Sequence, residues 1–81
     1  MKCFVYKSLK KADSYIYIEQ KDDFEKVPQQ LLQLFGTPEF ALEFDLTEDR
    51  KLAVADAKQV MQYINEQGYY LQMPSKNDLP I

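Results

Sequence analysis

Four lysines stand within the first eleven residues with no acidic residue among them. Lys2 and Lys7 flank an apolar run, and Lys10 and Lys11 open a polar turn. Ammonium groups gathered in this way can bind a phosphate or another anion, including the backbone of a nucleic acid. The simpler interpretation is a solvated turn that keeps the edge of a sheet soluble, since exposed lysines commonly do so. The sequence leaves both interpretations open.

Aromatic residues recur at a spacing of two within two apolar runs, as Phe4 and Tyr6 and as Tyr15 and Tyr17. Positions two apart in a strand share a face, so all four rings could lie together on one face of a hairpin. Proteins that bind single-stranded RNA stack bases on sheet aromatics beside basic side chains. The alternatives are core packing under a helix, or a face that binds a partner protein or a second copy.

Arg50 and Lys51 form a second basic group, in a charged connection between two apolar segments. The planar guanidinium of arginine can bind a carboxylate or phosphate through two hydrogen bonds. The pair is therefore a candidate surface site. The alternative is an exposed arginine that does no more than pair with Glu48 or Asp49 beside it.

Carboxylates gather in two segments, Glu19–Glu25 and Asp45–Asp49. A calcium loop bends at a glycine so that its oxygen ligands converge, and neither segment contains one. Capping of a helix N-terminus by Asp22 or Asp23 explains the first segment better. We predict no metal site here and no cofactor.

The residue types that the chain lacks exclude several common chemistries. There is no histidine among the 81 residues, so catalysis by a serine or cysteine nucleophile with a histidine base is excluded within one chain. Cys3, the single cysteine, can form neither an internal disulfide nor a structural zinc site. The chain has two isolated glycines, so it contains no glycine-rich phosphate-binding motif. A net charge of −3 opposes broad, charge-driven binding of nucleic acid. The sequence does not decide whether the protein is an enzyme, but it leans against one.

Apolar periodicity and helix-ending residues divide the chain into six elements. We expect strands over residues 2–7 and 14–19, a helix from Pro28 to a left-handed cap at Gly36, a strand over residues 40–46, a helix capped by Asp56 and ended by Gly68, and a last strand over residues 69–73. The first two strands are apolar on both faces, which places their hairpin in the centre of the sheet or sets its aromatic face against something else. Phe40–Leu46 alternates apolar with polar residues, so this strand is expected near an edge with one buried face.

The order β-β-α-β-α-β predicts a single small α/β domain. We expect a mixed sheet of about four strands with at least one parallel pair, because strand–helix–strand units often return to a parallel neighbour. The helices are expected to pack on the sheet as in an α/β/α sandwich.

Seven short segments carry a resemblance: Cys3–Ser8, Lys21–Phe24, Val27-Pro28 with Leu31-Leu32, Phe35-Gly36, Arg50–Ala53, Ala55-Asp56 and Gly68–Pro74. In this order they resemble the YcgL-like family of small bacterial proteins, over residues 1–74. The resemblance implies a compact α/β domain with helices on both sides of a sheet, in the bacterial cytoplasm. It carries no catalytic residues over to this chain.

These features together predict a non-catalytic protein-interaction module, a monomer or weak dimer that binds a protein partner in the cytoplasm. No signal peptide or membrane-spanning segment is expected. The alternative is a weak binder of single-stranded nucleic acid that uses Lys7, Lys10, Lys11 and Arg50 with Tyr15 or Tyr17. Residues 75–81 lack periodicity and are expected to form a flexible tail.

Overall fold

The computed structural model describes residues 1–50 and 56–72 of the chain. Its elements are β1 (Lys2–Ser8), β2 (Tyr15–Ile18), α1 (Gln29–Phe35), β3 (Pro38–Asp45), α2 (Ala57–Gln67) and β4 (Tyr70–Gln72). The predicted α/β class and the predicted order of elements are confirmed. The predicted tail, residues 75–81, lies outside the described residues.

The four strands form one sheet in the order β3-β1-β2-β4. The hairpin of β1 and β2 occupies the centre, as its two apolar faces predict, and β3 is an edge strand. All three strand pairs are antiparallel, so the expectation of a mixed sheet with a parallel pair is wrong. The reason is the strand order: α1 connects β2 to β3, which run in the same direction, but β1 lies between them and pairs with both.

The two helices cover opposite faces of the sheet, which gives the predicted α/β/α sandwich. Buried residues of α2 pack with one side of the central hairpin and with Leu46. Phe35 of α1 and Val27 pack with the other side. Each face of the hairpin therefore contributes to a separate apolar core.

The aromatic residues of the hairpin divide between these two cores. Val5 lies opposite Tyr17, and Lys7 opposite Tyr15, so both tyrosines point toward α2. Tyr6 lies opposite Ile16 and points toward α1. The four aromatic rings therefore do not share one face, which the spacing had allowed, and they pack into the two cores instead. The pairing register sets this outcome, because residues directly opposite each other share a face whatever their spacing within each strand.

A bulge in β3 divides its apolar residues between the two faces. Leu42 pairs with Val5 and Phe40 with Tyr6, so Ala41 is an extra residue between two consecutive positions of β1. Leu42 and Phe40 thus point to opposite sides and remain 48% and 42% exposed. The single buried face that the alternation predicts is not formed.

Both helices end at a glycine with positive φ, but with different geometries. Gly68 ends α2 in the predicted left-handed conformation, and Asp56 caps its start by accepting a hydrogen bond from the Lys58 N–H. Gly36 ends α1 at φ 87° and ψ −165°, so the left-handed cap predicted there is wrong. The aliphatic part of Lys10 lies so close that a methyl group at Gly36 would come within 2.9 Å of its Cβ. Glycine is needed at this position for room as well as for its φ.

Ser8 joins the end of β1, the hairpin turn and the end of α1. Its buried hydroxyl donates to the Phe35 carbonyl at 2.5 Å and accepts from the backbone N–H groups of Lys10 and Lys11 at 3.1 and 2.8 Å. One side chain therefore satisfies three backbone groups from two distant parts of the chain.

Ser8→Ala is expected to lower the free energy of unfolding by about 1–3 kcal/mol, because it leaves buried backbone groups without partners. Urea denaturation followed by circular dichroism measures the effect. Thr47→Ala is the matched control, since Thr47 is exposed and its hydroxyl donates to the exposed Asp49, and it should cost no more than about 0.5 kcal/mol. Equal costs for the two variants would contradict a structural role for Ser8.

Among the described residues, neither helix is both long enough and apolar enough to span a membrane.

Candidate interaction site

The lysines at the hairpin turn already have contacts within the domain. The Nζ of Lys7 lies 3.3 Å from a carboxylate oxygen of Glu39, its cross-strand partner on β3. Lys10 lies against Gly36 and donates from Nζ to the Gln33 carbonyl at 3.3 Å, in the last turn of α1. Lys11 is exposed, and its backbone N–H is bound to Ser8. Lys10 and Lys11 therefore help to connect the hairpin turn to the end of α1. The positive charge of Lys10 is also favourable there, because it lies at the negative end of the helix dipole.

The two candidate tyrosines are packed toward α2. Tyr17 is buried, and its hydroxyl donates to a side-chain oxygen of Gln72. Burial raises the pKa of Tyr17 to about 12. Tyr15 is half-buried at the border of the same core. Tyr17 is therefore not available for stacking, whereas Tyr15 lies opposite Lys7 on the same face and is partly exposed.

Arg50 is exposed and lies apart from the lysines of the hairpin turn. Its guanidinium carbon is 4.5 Å from the centre of the Phe44 ring, which is a cation–π contact. Phe44 pairs with Cys3, four residues before Lys7 on β1, so about 13 Å of strand separates the two basic groups. Lys51 lies outside the described residues. The candidate site residues thus do not all come together on one surface: Arg50 lies apart from the hairpin turn, Tyr17 is buried, and only Tyr15 offers a partly exposed ring beside Lys7.

The first acidic segment contributes to the fold, but the predicted helix cap at Asp22 or Asp23 is wrong, because α1 begins at Gln29 after Pro28 and has no side-chain cap. Asp22 stands at φ 60°, its backbone N–H donates to the Tyr6 hydroxyl at 2.7 Å, and that hydroxyl donates back to its carboxylate at 2.9 Å. Within residues 1–50 and 56–72, no group of three or more acidic or cysteine side chains is placed to hold a metal ion. Burial raises the pKa of the Cys3 thiol to about 12, which keeps it in the unreactive neutral form.

A different surface, which we call the β4 groove, has the form of a binding site. It is an open cleft of about 530 Å³ between the two helices at the edge of the sheet. Its lining residues are Leu31 from α1, Gln59, Tyr63 and Gln67 from α2, and Tyr69, Tyr70 and Leu71 at β4. None of them carries a charge, in a chain of which 28% is charged.

The tyrosines of the β4 groove are held in place by ring contacts. Tyr70 packs edge-on against the buried Tyr17 with ring centres 5.6 Å apart, and Tyr63 lies 5.5 Å from Tyr70 on the outer side. Tyr63 itself is 40% exposed. A chain of rings therefore runs from the core to the surface, and its outermost member is partly exposed.

The sequence analysis missed this groove, although α2 carries a signal for it. Gln59, Tyr63 and Gln67 follow one another at intervals of four, which places them on one face of a helix. Val60 and Ile64 of the core lie on a different face. Tyr63 thus lies between two glutamines on a face of α2 that is separate from its apolar stripe. Such an uncharged, aromatic face on the outside of a helix indicates a candidate contact surface.

The outer side of β4, which pairs with no other strand in the described part of the chain, can be oriented from the hydrogen bonds of the hairpin. In an antiparallel ladder, the N–H and C=O of a residue point to the same side, and that side alternates along the strand. The Ser8 N–H donates to the Ser14 carbonyl at 3.0 Å, so Ser14 and Ile16 point their backbone groups toward β1. Tyr15 and Tyr17 therefore point theirs toward β4.

It follows that Leu71 presents its backbone to the outside. The hydrogen-bonded pairs with β2 are those of Tyr70 and Gln72, and Leu71 lies between them. Its N–H and C=O point away from the sheet, where the described part of the chain provides no further strand. The next outward carbonyl, that of Tyr69, accepts a hydrogen bond from Nε2 of Gln67 at 3.0 Å.

The opposite edge of the sheet, at β3, is protected. Leu46 bonds to Met1, so the alternation turns the backbone of Asp45 and Glu43 outward, where acidic side chains flank it. Pro38, at the start of the strand, has no N–H, and the bulge interrupts the row of donors. Charges, proline, bulges and short length are among the features by which edge strands avoid pairing with another chain. The described part of β4 has neither charge, proline nor bulge, and its only such feature is its length of three residues.

Comparison with known proteins places this domain among bacterial relatives. The sequence profile of the YcgL domain matches residues 3–75. A YcgL domain-containing protein of Thioalkalivibrio sulfidiphilus is 52% identical over 81 residues, which is all of both chains. One from Proteus mirabilis is 49% identical over 74 residues, covering 91% of this chain and 76% of the relative. One from Klebsiella pneumoniae is 45% identical over 78 residues, covering 96% of this chain and 84% of the relative.

Proposed function

This chain belongs to the YcgL domain family, and we propose that it is a non-catalytic protein-interaction module whose contact surface is the β4 groove. The observation that carries the proposal is the contrast between the two sheet edges. The edge at β3 has proline, acidic residues and a bulge, whereas β4 presents an uncharged strand beside an uncharged, tyrosine-lined cleft. Edge strands that do not bind another chain normally carry features that prevent strand pairing.

The composition of the β4 groove supports a protein as the partner. Interfaces between proteins are enriched in tyrosine and depleted of charge at their centre. Tyrosine contributes a large contact area with few rotatable bonds, and its hydroxyl can still bond to a partner. Tyr63 and Tyr70 meet this description, because the contact of Tyr70 with Tyr17 holds the pair against the core.

The chemistry of the chain supports a role without catalysis. It contains no histidine, and burial holds its one thiol in the neutral form. We place the domain in the bacterial cytoplasm as a monomer or weak dimer. The bacterial relatives and a single cysteine without an intramolecular partner support this setting, since small secreted domains usually carry disulfides.

Site-specific cross-linking in bacterial cells tests the proposal. A photoreactive benzoylphenylalanine in place of Tyr63 should form an adduct with a partner protein, which mass spectrometry identifies. The same residue in place of Leu42, which is equally exposed on the protected edge, is the matched control and should form none.

Binding of the purified partner then measures the energetic role of the groove. Tyr63→Ala should weaken it by about tenfold or more, as loss of a central aromatic contact does at other interfaces, and Leu42→Ala should leave it unchanged. Adducts at neither position, or at both alike, would refute the proposal. Turnover of a substrate by the purified domain would refute its non-catalytic part.

A further inference from the structure

We propose that the occupant of the β4 groove is an extended, uncharged segment of a partner protein, which pairs with the backbone of Leu71 as a fifth strand of the sheet. This inference rests on the proposed function and adds the binding mode and the chemistry of the partner. Addition of a strand to a free sheet edge is a common way to bind a peptide, with main-chain bonds giving affinity and side-chain pockets giving specificity.

The first support is the direction of the backbone groups. Leu71 offers one outward donor and one outward acceptor, as the alternation of the β2–β4 ladder requires. The Tyr69 carbonyl, which would continue the ladder on one side, is already bound by Gln67. Pairing is therefore centred on Leu71, and the occupant needs only a short extended segment.

The second support is the surroundings of that position on both faces of the sheet. Leu71 and Tyr69 belong to the core on the α1 side, and Leu31 of α1 packs with that core. Tyr70 belongs to the α2 side, where Tyr63 lies beside it. Alternate side chains of an added strand would thus meet apolar or aromatic groups in both directions.

The third support is the absence of charge from the lining of the groove. A charged side chain of the occupant would lose part of its hydration in the groove, and the lining offers no opposite charge to bind it. Such a loss of hydration is costly. A strand that contacts apolar groups on both faces is itself apolar on both faces, as strands covered on both sides are. The occupant is therefore a segment of β-branched, aromatic or small uncharged residues.

A variant at Leu71 can remove the outward donor, although it also changes the leucine side chain that packs with the core on the α1 side. Proline lacks the backbone N–H, and in an edge strand it is tolerated where that N–H points to solvent. Leu71→Pro therefore deletes the donor offered to the occupant and keeps the bonds of Tyr70 and Gln72 to β2. Leu71→Val is the matched control, because it also shortens the apolar side chain but retains the N–H.

A phage-displayed library of random eight-residue peptides is the probe. We expect selection on the unmodified domain to enrich peptides without acidic or basic residues. A synthetic peptide of the enriched sequence should bind Leu71→Val about as well as the unmodified domain, and Leu71→Pro about tenfold more weakly, the effect of one lost hydrogen bond. Enrichment of charged peptides, or equal binding by Leu71→Pro, would overturn the inference.

Amide hydrogen exchange on the unmodified domain gives a readout that does not depend on the folding of a variant. The bound peptide should slow exchange of the Leu71 N–H and leave that of Glu43, on the protected edge, unchanged. If a partner cross-links at position 63 while the Leu71 amide exchanges as fast as before, the strand mode is wrong and the proposed function stands. If slow exchange appears without peptide and together with dimerisation in sedimentation, the occupant is a second copy, and the inference is overturned.

Discussion

Ile16→Ala is expected to cost about 2–5 kcal/mol of unfolding free energy, the range for removing most of a fully buried aliphatic side chain. Ile16 has no exposed surface. It lies opposite Tyr6 on one neighbouring strand and opposite Leu71 on the other, at the centre of the core under α1. A domain of 81 residues is stable by about 4–12 kcal/mol, so this one change can remove a large part of the total.

Urea denaturation measures the loss as a lower midpoint at an unchanged dependence on denaturant. Leu34→Ala is the matched control, because Leu34 is 62% exposed on α1 and its removal leaves no cavity. It should cost no more than about 0.5 kcal/mol. If Ile16→Ala costs no more than Leu34→Ala, the core under α1 is not centred on β2 as described.

Local signals in the sequence were enough to place the helices and strands. Asp56 and Gly68 mark the two ends of α2 because each acts on backbone groups only a few positions away. The two apolar faces of the hairpin likewise predict its central position, since only a strand covered on both sides can be apolar on both. Gly36 shows the limit of such signals. It lies against Lys10, 26 positions earlier in the chain, and does not adopt the left-handed conformation that the local sequence predicts.

Pairing between distant strands could not be predicted in the same way. A helix between two strands favours parallel neighbours, but β1 occupies the place beside β2 that β3 would otherwise take. The register between β1 and β2 separates Tyr6 from Tyr17, and the bulge at Ala41 separates Phe40 from Leu42. None of these outcomes depends on the residues of one segment alone.

The candidate site depends on these distant pairings, which is why sequence reasoning placed it elsewhere. The lysines were predicted as a candidate site because their charges are close together in the chain. In the structure Lys7 pairs with Glu39, and Lys10 donates to a carbonyl at the end of α1. The groove exists only because β4 joins the outer side of β2, which brings Tyr70 beside Tyr63. A spacing of four can reveal the face of α2, but it cannot reveal which strand will lie next to it.

Raising the pH from 8 to 11 is expected to destabilise the domain through Cys3 and Tyr17, both buried on the α2 side of the sheet. Burial raises the pKa of each group to about 12 in the folded protein, from ordinary values of 9.0 and 10.0. Below about pH 8 both groups are protonated in the folded and the unfolded chain, and stability does not depend on them. Above it the unfolded chain loses protons first, so stability falls as the pH approaches 12. The expected loss at pH 11 is roughly 2–4 kcal/mol.

Urea midpoints measured at intervals from pH 7 to pH 11 test this dependence. The double variant Cys3→Ala with Tyr17→Phe starts from a lower stability, because it loses core volume and the bond to Gln72, but its midpoint should fall less steeply above pH 9. Tyr63→Phe, which removes an exposed hydroxyl, is the matched control and should keep the full slope. If the double variant keeps that slope as well, the alkaline loss comes from other groups, and the α2 side of the sheet does not hold its thiol and phenol in the neutral state.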